Sequence, residues 1–548
     1  MIYDKPRFTS LPGGILHIDV GDEVSLSCSS RVHDIYSALS DMEGVGDLTP
    51  AYGSIAAKID MELTKAATVK KAVEKAWKTP RARHEVGRLV KVPVCYEGGF
   101  APDLEELARH AGMKREDVVA LHASKEYTCM MLGFMPGFVY LDEVDPRIRI
   151  ERLEAPRTKV PSGSVGIAGA QTGIYGLESP GGWRLIGRTP LTTFNPSASP
   201  PAPIGPGDRV KFEPITAQEY GFVKKASPAA PKGAAGTPVL EVRQPGLFAT
   251  VQDKGRFAFR YLGVPSSGGL DIASMMQSNY IVGNPGGWPA IEVIGGYFQV
   301  RALSDVVVAV TGCDCAMTVR GEPAETYEPI LLKPGDDLAI GKTSGMLNYM
   351  SVAGRLSADT VMGSCSTYPR GGFGGFSGRS LKVGDLVGIE SLSERVLMRE
   401  IPKDERVSVR EDPIRAVGSS IQGSKPKLAK SFFGDEYTVS EASDRTGYRL
   451  KHAERFTDTS GHVLTYPTYC GYVQVPPDGS PIVLQKDCPT TGGYELVAVV
   501  LPSEMGRFSQ LKPGSKVGFE EVDDETSAKE EKRFLRLLRK YAVASPGI

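Results

Sequence analysis

YTCMMLGFMPGFVYL, Tyr127–Leu141, followed by PSGSVGIAG, Pro161–Gly169, and SPGGW, Ser179–Trp183, decides the fold class. Clusters of Gly, Pro and Ser break up the apolar runs at short intervals, which is the pattern of strands joined by tight turns in a barrel or sandwich. Upstream lies a strand-like run, LVKVPVCYE (Leu89–Glu97), and then two helical stretches, DLEELARHAG and REDVVALHAS. The first of these begins after Pro102 with acidic residues in its opening turn and stops at Gly112, as helix-end chemistry prefers. Further upstream, residues 14–90 alternate strand-like pieces (ILHIDVG, SIAAKID) with helical ones (HDIYSALSDM, TVKKAVEKAW), an α+β pattern.

Downstream, KKASPAAPKGAAGTP, Lys224–Pro238, is rich in Ala, Pro and Gly without hydrophobic period and reads as a linker. Beyond it the chain is again β-rich, with VVVAVTG, DLAIG, LNYMSVAG, GYVQVP and PIVLQ as strands. Lys425–Lys430 reads as a loop. In this half only SAKEEKRFLRLLRKYA, with Phe534, Leu535, Leu537 and Leu538 on one side, carries a helical period, and packing is its simplest role. The expected division is an α+β subdomain over 1–88, a β-barrel domain over 89–222, a linker over 223–238, a two-lobed β domain over 239–524 and a C-terminal helix over 525–548.

At 548 residues, several folding units are required. Lys plus Arg number 64 against 65 Asp plus Glu, a balance that offers no broad field for nucleic acid or an anionic membrane. The 62 glycines and 40 prolines favour short strands and turns over long helices. No apolar run approaches the ~20 residues that span a bilayer, and the N-terminus lacks the blocks of a signal peptide. A cytoplasmic location with reduced thiols is therefore expected for the eight cysteines.

Several motifs mislead. GDDLAIGKTSG ends in GKT, but five residues separate Gly335 from Gly341 where a phosphate loop needs four, and no helix is expected to follow. Cys313 and Cys315 lack two further ligands nearby, so buried apolar thiols and no metal site are expected. No biotinyl-lysine signature and no ATP-grasp module is recognisable.

Longer passages carry a resemblance. HASKEYTCMMLGFMPGFVYL, His122–Leu141, and APRTKVPSGSVGIAGAQTGIYGLESPGGWRLIGRTP, Ala155–Pro190, resemble the smaller subunit of bacterial ATP-dependent 5-oxoprolinase. That subunit is related to sporulation-kinase inhibitors and to one lobe of the urea carboxylase carboxyltransferase domain. QPGLFATVQDKGRFAFRYLGVPSSGGLD, Gln244–Asp271, with VGNPGGWPAIEV, MGSCSTYPRGGFGGFSGRSLKVGD, SDRTGYRL and GYVQVPPDGSPIVLQKDCPTTGGYE, resembles the larger subunit. The two halves stand in the order of the family's fused, allophanate hydrolase-like forms. The resemblance implies a mostly β fold with an α+β cap and cyclophilin-like β-barrels, one in the N-terminal half and two in the C-terminal half. It also implies that the chain engages ATP, with Mg²⁺, and a lactam, while a separate third subunit completes hydrolysis to glutamate.

Opening a lactam requires a better leaving group than the amide oxygen, which ATP can create. The residues needed are donors around developing negative charge more than a covalent nucleophile. In the first half, Gly133, Phe134, Pro136, Gly137 and Phe138 form a turn expected to offer an apolar wall and free backbone N–H groups. Arg157 and Lys159 supply cations, Ser162, Gly163, Ser164, Gln171 and Thr172 supply polar donors, and His122 is an acid/base candidate that reads equally as a core histidine. In the second half the polar candidates are Asp253, Arg256, Arg445, Asp487, Thr490, Thr491 and Gly492, with Gln474 able to read a lactam N–H and C=O together. Arg157, His122, Asp253 and Arg445 are the catalytic candidates. The site is expected between the halves, because neither half holds a complete set.

Departures from the family pattern fall inside motifs: Arg355 after Ala353 and Gly354, Tyr368, Cys470 and Glu495. They leave 5-oxoproline, another lactam or a urea-like amide open as substrate. Two other functions stay open: a carboxyltransferase served by separate biotin proteins, and a histidine-kinase-binding regulator. Oligomeric state is open as well.

Overall fold

A computed structural model describes all residues except 80–86, 226–235, 393–398, 408–411, 420, 422–425, 453–455, 457–462 and 543–548. Most of the expected linker lies outside the described residues. At its flanks, the helix Ala217–Lys225 already covers the start of the expected 223–238 span, and the strand Thr237–Pro245 covers its end.

The first unit is a four-stranded antiparallel sheet in the order Ile2–Leu11, Ile15–Gly21, Ser54–Ile59, Val45–Pro50. Helices Leu26–Leu39 and Ala66–Lys78 cover one face, burying Val32, Ile35, Leu39, Val69 and Val73 against Ile18, Val20 and Ile55. Ser25 caps the first helix by accepting from Cys28 N at 3.2 Å.

Next comes a closed seven-stranded barrel: Gln171–Ile174, Val139–Glu143, Glu126–Leu132, Arg209–Ile215, Leu89–Cys95, Arg184–Arg188, Ser164–Ala168. Closure depends on a parallel pairing of Arg209–Ile215 with Leu89–Cys95, so the last strand returns beside the first. The second half opens with a lobe of two sheets, one of seven strands and one of five, sharing a core of Val242, Val293, Phe298, Val308 and Met350. A second closed seven-stranded barrel follows, built from strands between Ile414 and Glu521. The mostly β class with an α+β cap is borne out. The two closed barrels are divided one to each half, and the middle lobe is a pair of sheets, where two barrels were expected in the C-terminal half.

Three second-half helices went unread in the sequence. Ile272–Ile281 is buried on nearly every side, so its sequence, IASMMQSNYI, has no polar face to give a period. Pro502–Ser509 is a short helix with Pro at its start. Pro426–Phe433 occupies the stretch expected to be a loop. The C-terminal helix Asp524–Ala542 packs Leu537, Leu538 and Tyr541 onto Met276 and Ile281. It also reaches the cap, where Glu531 accepts from Gly13 N at 3.2 Å and Arg539 pairs with Glu62. The GKT motif lies within the strand Asp337–Thr343. All eight cysteines are free of disulfides. Among the described residues no helix is long and apolar enough to cross a membrane.

The halves share cores. Leu262, Val264, Tyr368 and Phe373 of the second half are buried in the first barrel's cluster, and Leu11, Ile15 and Ala56 of the cap pack with Tyr466, Tyr469, Tyr472 and Leu484. Each fully buried side chain of this size contributes about 1.5–3 kcal/mol. Arg260 laces the seam, donating to Thr49 Oγ1 at 3.2 Å and to Thr468 O, with Tyr469 stacked 4.3 Å from its guanidinium.

Candidate functional site

The GFMPGF turn sits at this seam, and all of its backbone N–H groups are engaged. Gly133 N donates to Phe138 O, Met135 N to Gly133 O, Gly137 N to Leu262 O and Phe138 N to Met135 O. Phe134 N donates across the seam to Thr491 Oγ1 at 2.9 Å. Pro136 has no N–H. The expectation of free N–H donors is therefore corrected: the turn is a clasp between the halves. Two features make it specific. Phe134 is held at φ 63°, a conformation that side chains adopt at a cost. A Cβ on Gly133 would lie 2.6 Å from Thr491 Oγ1, so only glycine fits there. The expected apolar wall is a core aromatic cluster, with Phe138 4.4 Å from Tyr140, 4.8 Å from Tyr175 and 5.5 Å from Trp183.

Other first-half candidates are also committed. His122 is buried in the barrel, with Nδ1 against Tyr96 OH at 2.8 Å, Nε2 against Thr172 Oγ1 at 2.9 Å and Phe212 stacked at 4.6 Å. Burial pushes its pKa down to about 3. This neutral, doubly bonded core residue is no acid/base catalyst, and Thr172, which also donates to Gly166 O at 3.0 Å, belongs to the same core. Arg157 lies on the strand Arg157–Val160 and donates to Asp103 Oδ1 at 2.6 Å and Trp183 O at 3.4 Å. Asp103 Oδ2 in turn accepts from Leu185 N at 2.6 Å. Arg157 thus pins the 183–185 segment to the start of a helix and is no uncommitted cation. Lys159 makes an exposed pair with Glu178 at 3.0 Å. Ser162 donates to Gly176 O at 2.7 Å, and Gly163, at φ 79°, donates to Tyr175 O. Ser164 Oγ and Gln171 Nε2 are the exceptions, buried without a hydrogen-bond partner.

In the second half, Asp253 is saturated. Oδ1 accepts from Gly255 N, Ser364 Oγ and Ser366 Oγ at 2.8, 2.6 and 2.6 Å, and Oδ2 accepts from Cys365 N at 2.6 Å. Arg445 is buried between Glu292 and Asp487, at 2.9 Å from the latter, and donates to Gly268 O at 2.7 Å. Both residues were expected to be catalytic; their geometry makes them positioning groups. Asp253 fixes the 364–366 turn. Arg445 joins the sheet lobe, through Glu292, to the Asp487–Thr491 loop of the second barrel. Gln474 Nε2 donates to Tyr466 OH at 2.7 Å, and a Cβ on Gly492 would come within 2.7 Å of that nitrogen, so Gln474 supports the TTGG turn from below.

Three segments meet here. Arg256 N donates to Ser266 O at 2.7 Å, Ser267 N donates to Lys486 O at 3.1 Å, and Thr491 holds the first-half turn. The uncommitted polar atoms of this region are Thr490 Oγ1, Ser267 Oγ and Arg256 Nη1, all buried. Ser267 and the seam residue Arg260 were missed in the sequence. Their signals, a serine beside two glycines in PSSGG and an arginine among aromatics in FAFRYLG, are too common to single out.

Residues 6–204 match the carboxyltransferase domain, subdomain C and D, and residues 262–521 match its subdomain A and B. The chain is 39% identical over 234 residues to the B component of 5-oxoprolinase from Bacillus subtilis, spanning 40% of this chain and 98% of that protein. The chain belongs to the carboxyltransferase-domain family. Its other half is similar to the C component of 5-oxoprolinase from Haemophilus influenzae, with 34% identity over 283 residues, spanning 51% of this chain and 90% of that protein. The crystal structure of TTHA0988 superposes with a TM-score of 0.81 at 31% identity, covering 92% of this carboxyltransferase-family chain and 99% of that one. The sequence resemblance, with counterparts of both components present in one chain, is borne out.

Proposed function

We propose that the chain is the fused B and C component of an ATP-dependent 5-oxoprolinase, engaging ATP and lactam while a separate third subunit completes hydrolysis to glutamate. The observation that carries this reading is the presence of both components' counterparts over nearly their full lengths, joined at a seam where Phe134 of one half is bonded to Thr491 of the other. Amide resonance makes the lactam carbonyl a poor electrophile; transfer of ATP's γ-phosphoryl group to its oxygen activates the carbon. Water adds there, the ring C–N bond breaks with the nitrogen leaving as an amine, and a second water hydrolyses the resulting acyl phosphate to glutamate and phosphate. Donors that meet growing negative charge in a water-poor site favour the phosphoryl transfer. The buried, unpartnered hydroxyl of Thr490, beside Thr491 at the seam, is a group available for it. Among the described residues no three His, Cys, Asp or Glu side chains form a metal-holding group, and Mg²⁺, ordinarily bound through one or two carboxylates and the nucleotide's phosphates, would enter with the nucleotide.

Reconstitution tests the reading. The purified chain with a bacterial third subunit, 5-oxoproline and ATP should release glutamate, while the chain alone should be nearly inactive. Full activity of the chain alone would overturn the division of labour, and no activity in the mixture would overturn the function.

A further inference from the structure

Arg256 is 1% exposed, yet its guanidinium meets no carboxylate among the described residues. Its hydrogen bonds run to carbonyls, Nη2 to Ser366 O at 2.5 Å and Nε to Val361 O at 3.4 Å, while Nη1 has no partner. Asp253 and Asp487 lie near enough to favour its charge, but their oxygens are bonded elsewhere, Asp253 to the 364–366 turn and Asp487 to Arg445. What the site lacks is an acceptor for Nη1, and a buried charged N–H donor left without one is costly.

Aromatic side chains flank the guanidinium. Phe373 lies 5.0 Å from the guanidinium carbon, and Tyr368 packs edge-on against Phe373 at 5.5 Å. Phe373 also meets Phe194 of the first half at 5.9 Å, which places the group at the seam. Ser267, next in sequence to the Ser266 carbonyl that accepts from Arg256 N, is held at φ 53° with its hydroxyl buried and unpartnered. Above the guanidinium runs the glycine turn 371–378. A Cβ on Gly374 would lie 2.2 Å from Ser366 O and 3.0 Å from Arg256 Nη2, so the turn approaches this closely only as glycine.

We propose that Arg256 is the subsite for the carboxylate of a cyclic substrate, with Phe373 and Tyr368 as apolar walls for its ring and Ser267 as an additional donor. This deepens the 5-oxoprolinase reading and rests on it. A planar guanidinium fork matches a carboxylate with two parallel N–H bonds.

Calorimetric titration of the full chain with 5-oxoproline, and with 2-pyrrolidinone (the same ring without the carboxylate), provides the test. The wild type should prefer 5-oxoproline by about 10- to 100-fold, the range for a charged hydrogen-bonded contact, and Arg256→Gln should bind the two alike. If Arg256→Gln does not fold, as judged by its melting curve, Arg256→Lys replaces it and should lose most of the preference, since an ammonium cannot form the fork. A folded variant that keeps the full preference overturns the subsite while leaving the lactam reading standing. A wild-type chain that binds neither lactam overturns the lactam reading and the subsite with it.

Discussion

Replacing Thr491 with valine should loosen the seam at the 133–138 turn while leaving the shared cores in place. The side chain keeps its shape, but Phe134 N–H loses its acceptor at 2.9 Å in a part-buried seam. Leaving such a donor unsatisfied costs about 1–3 kcal/mol. A methyl would also replace Oγ1 against Gly133, whose backbone already lies close to this side chain, and Phe134 would hold its φ of 63° without the bond that secures it. Chemical denaturation should therefore show a loss of about 1–3 kcal/mol, and coupled lactam turnover should fall with it, because the turn is one wall of the seam. Thr491→Ser keeps the hydroxyl and should lose far less. Equal stability and turnover in Thr491→Val and wild type would refute the clasp. Equal losses in the valine and serine variants would show that the methyl, and not the hydrogen bond, matters.

Arg157→Ala should lower the melting temperature and leave turnover at a permissive temperature near wild type, because Arg157 neutralises the buried Asp103 rather than a substrate. A tenfold loss of turnover with unchanged melting would contradict that role. His122 gives a pH dependence whose sign is fixed by its direction of shift. Its folded pKa, about 3, lies below the unfolded value near 6.5, so the unfolded state binds the extra proton and stability is lost as pH falls below about 6.5. The loss from this group should reach about 2 kcal/mol at pH 5, and denaturation of His122→Phe across the same range should lack that component. An unchanged slope in the variant would rule it out.

The sequence was most legible where one segment carries its own signal. Amphipathic helices such as Leu104–Ala111 and Asp524–Ala542 and the turn-punctuated strands after Tyr127 were all readable. Ile272–Ile281 was not, because a helix buried all round has no polar face. The candidate site was legible in its segments and illegible in its roles. Phe134 and Thr491 are 357 positions apart, Arg445 and Glu292 153, and Arg157 and Asp103 54. Whether a donor is free or taken depends on such distant partners, and no local pattern records them. Most residues that looked available for chemistry proved to be committed to structural bonds, the 133–138 turn and Thr491 across the seam and the others within their own half. Arg256, one arginine among several in the sequence, stands apart only because the fold buries it with one guanidinium nitrogen unpartnered.

The most direct measurement follows the lactam oxygen itself. With 5-oxoproline carrying ¹⁸O in its ring carbonyl, the chain, a third subunit and ATP should release glutamate together with inorganic phosphate bearing the label, one labelled phosphate per glutamate. Glutamate formed without ATP would contradict an ATP-activated lactam.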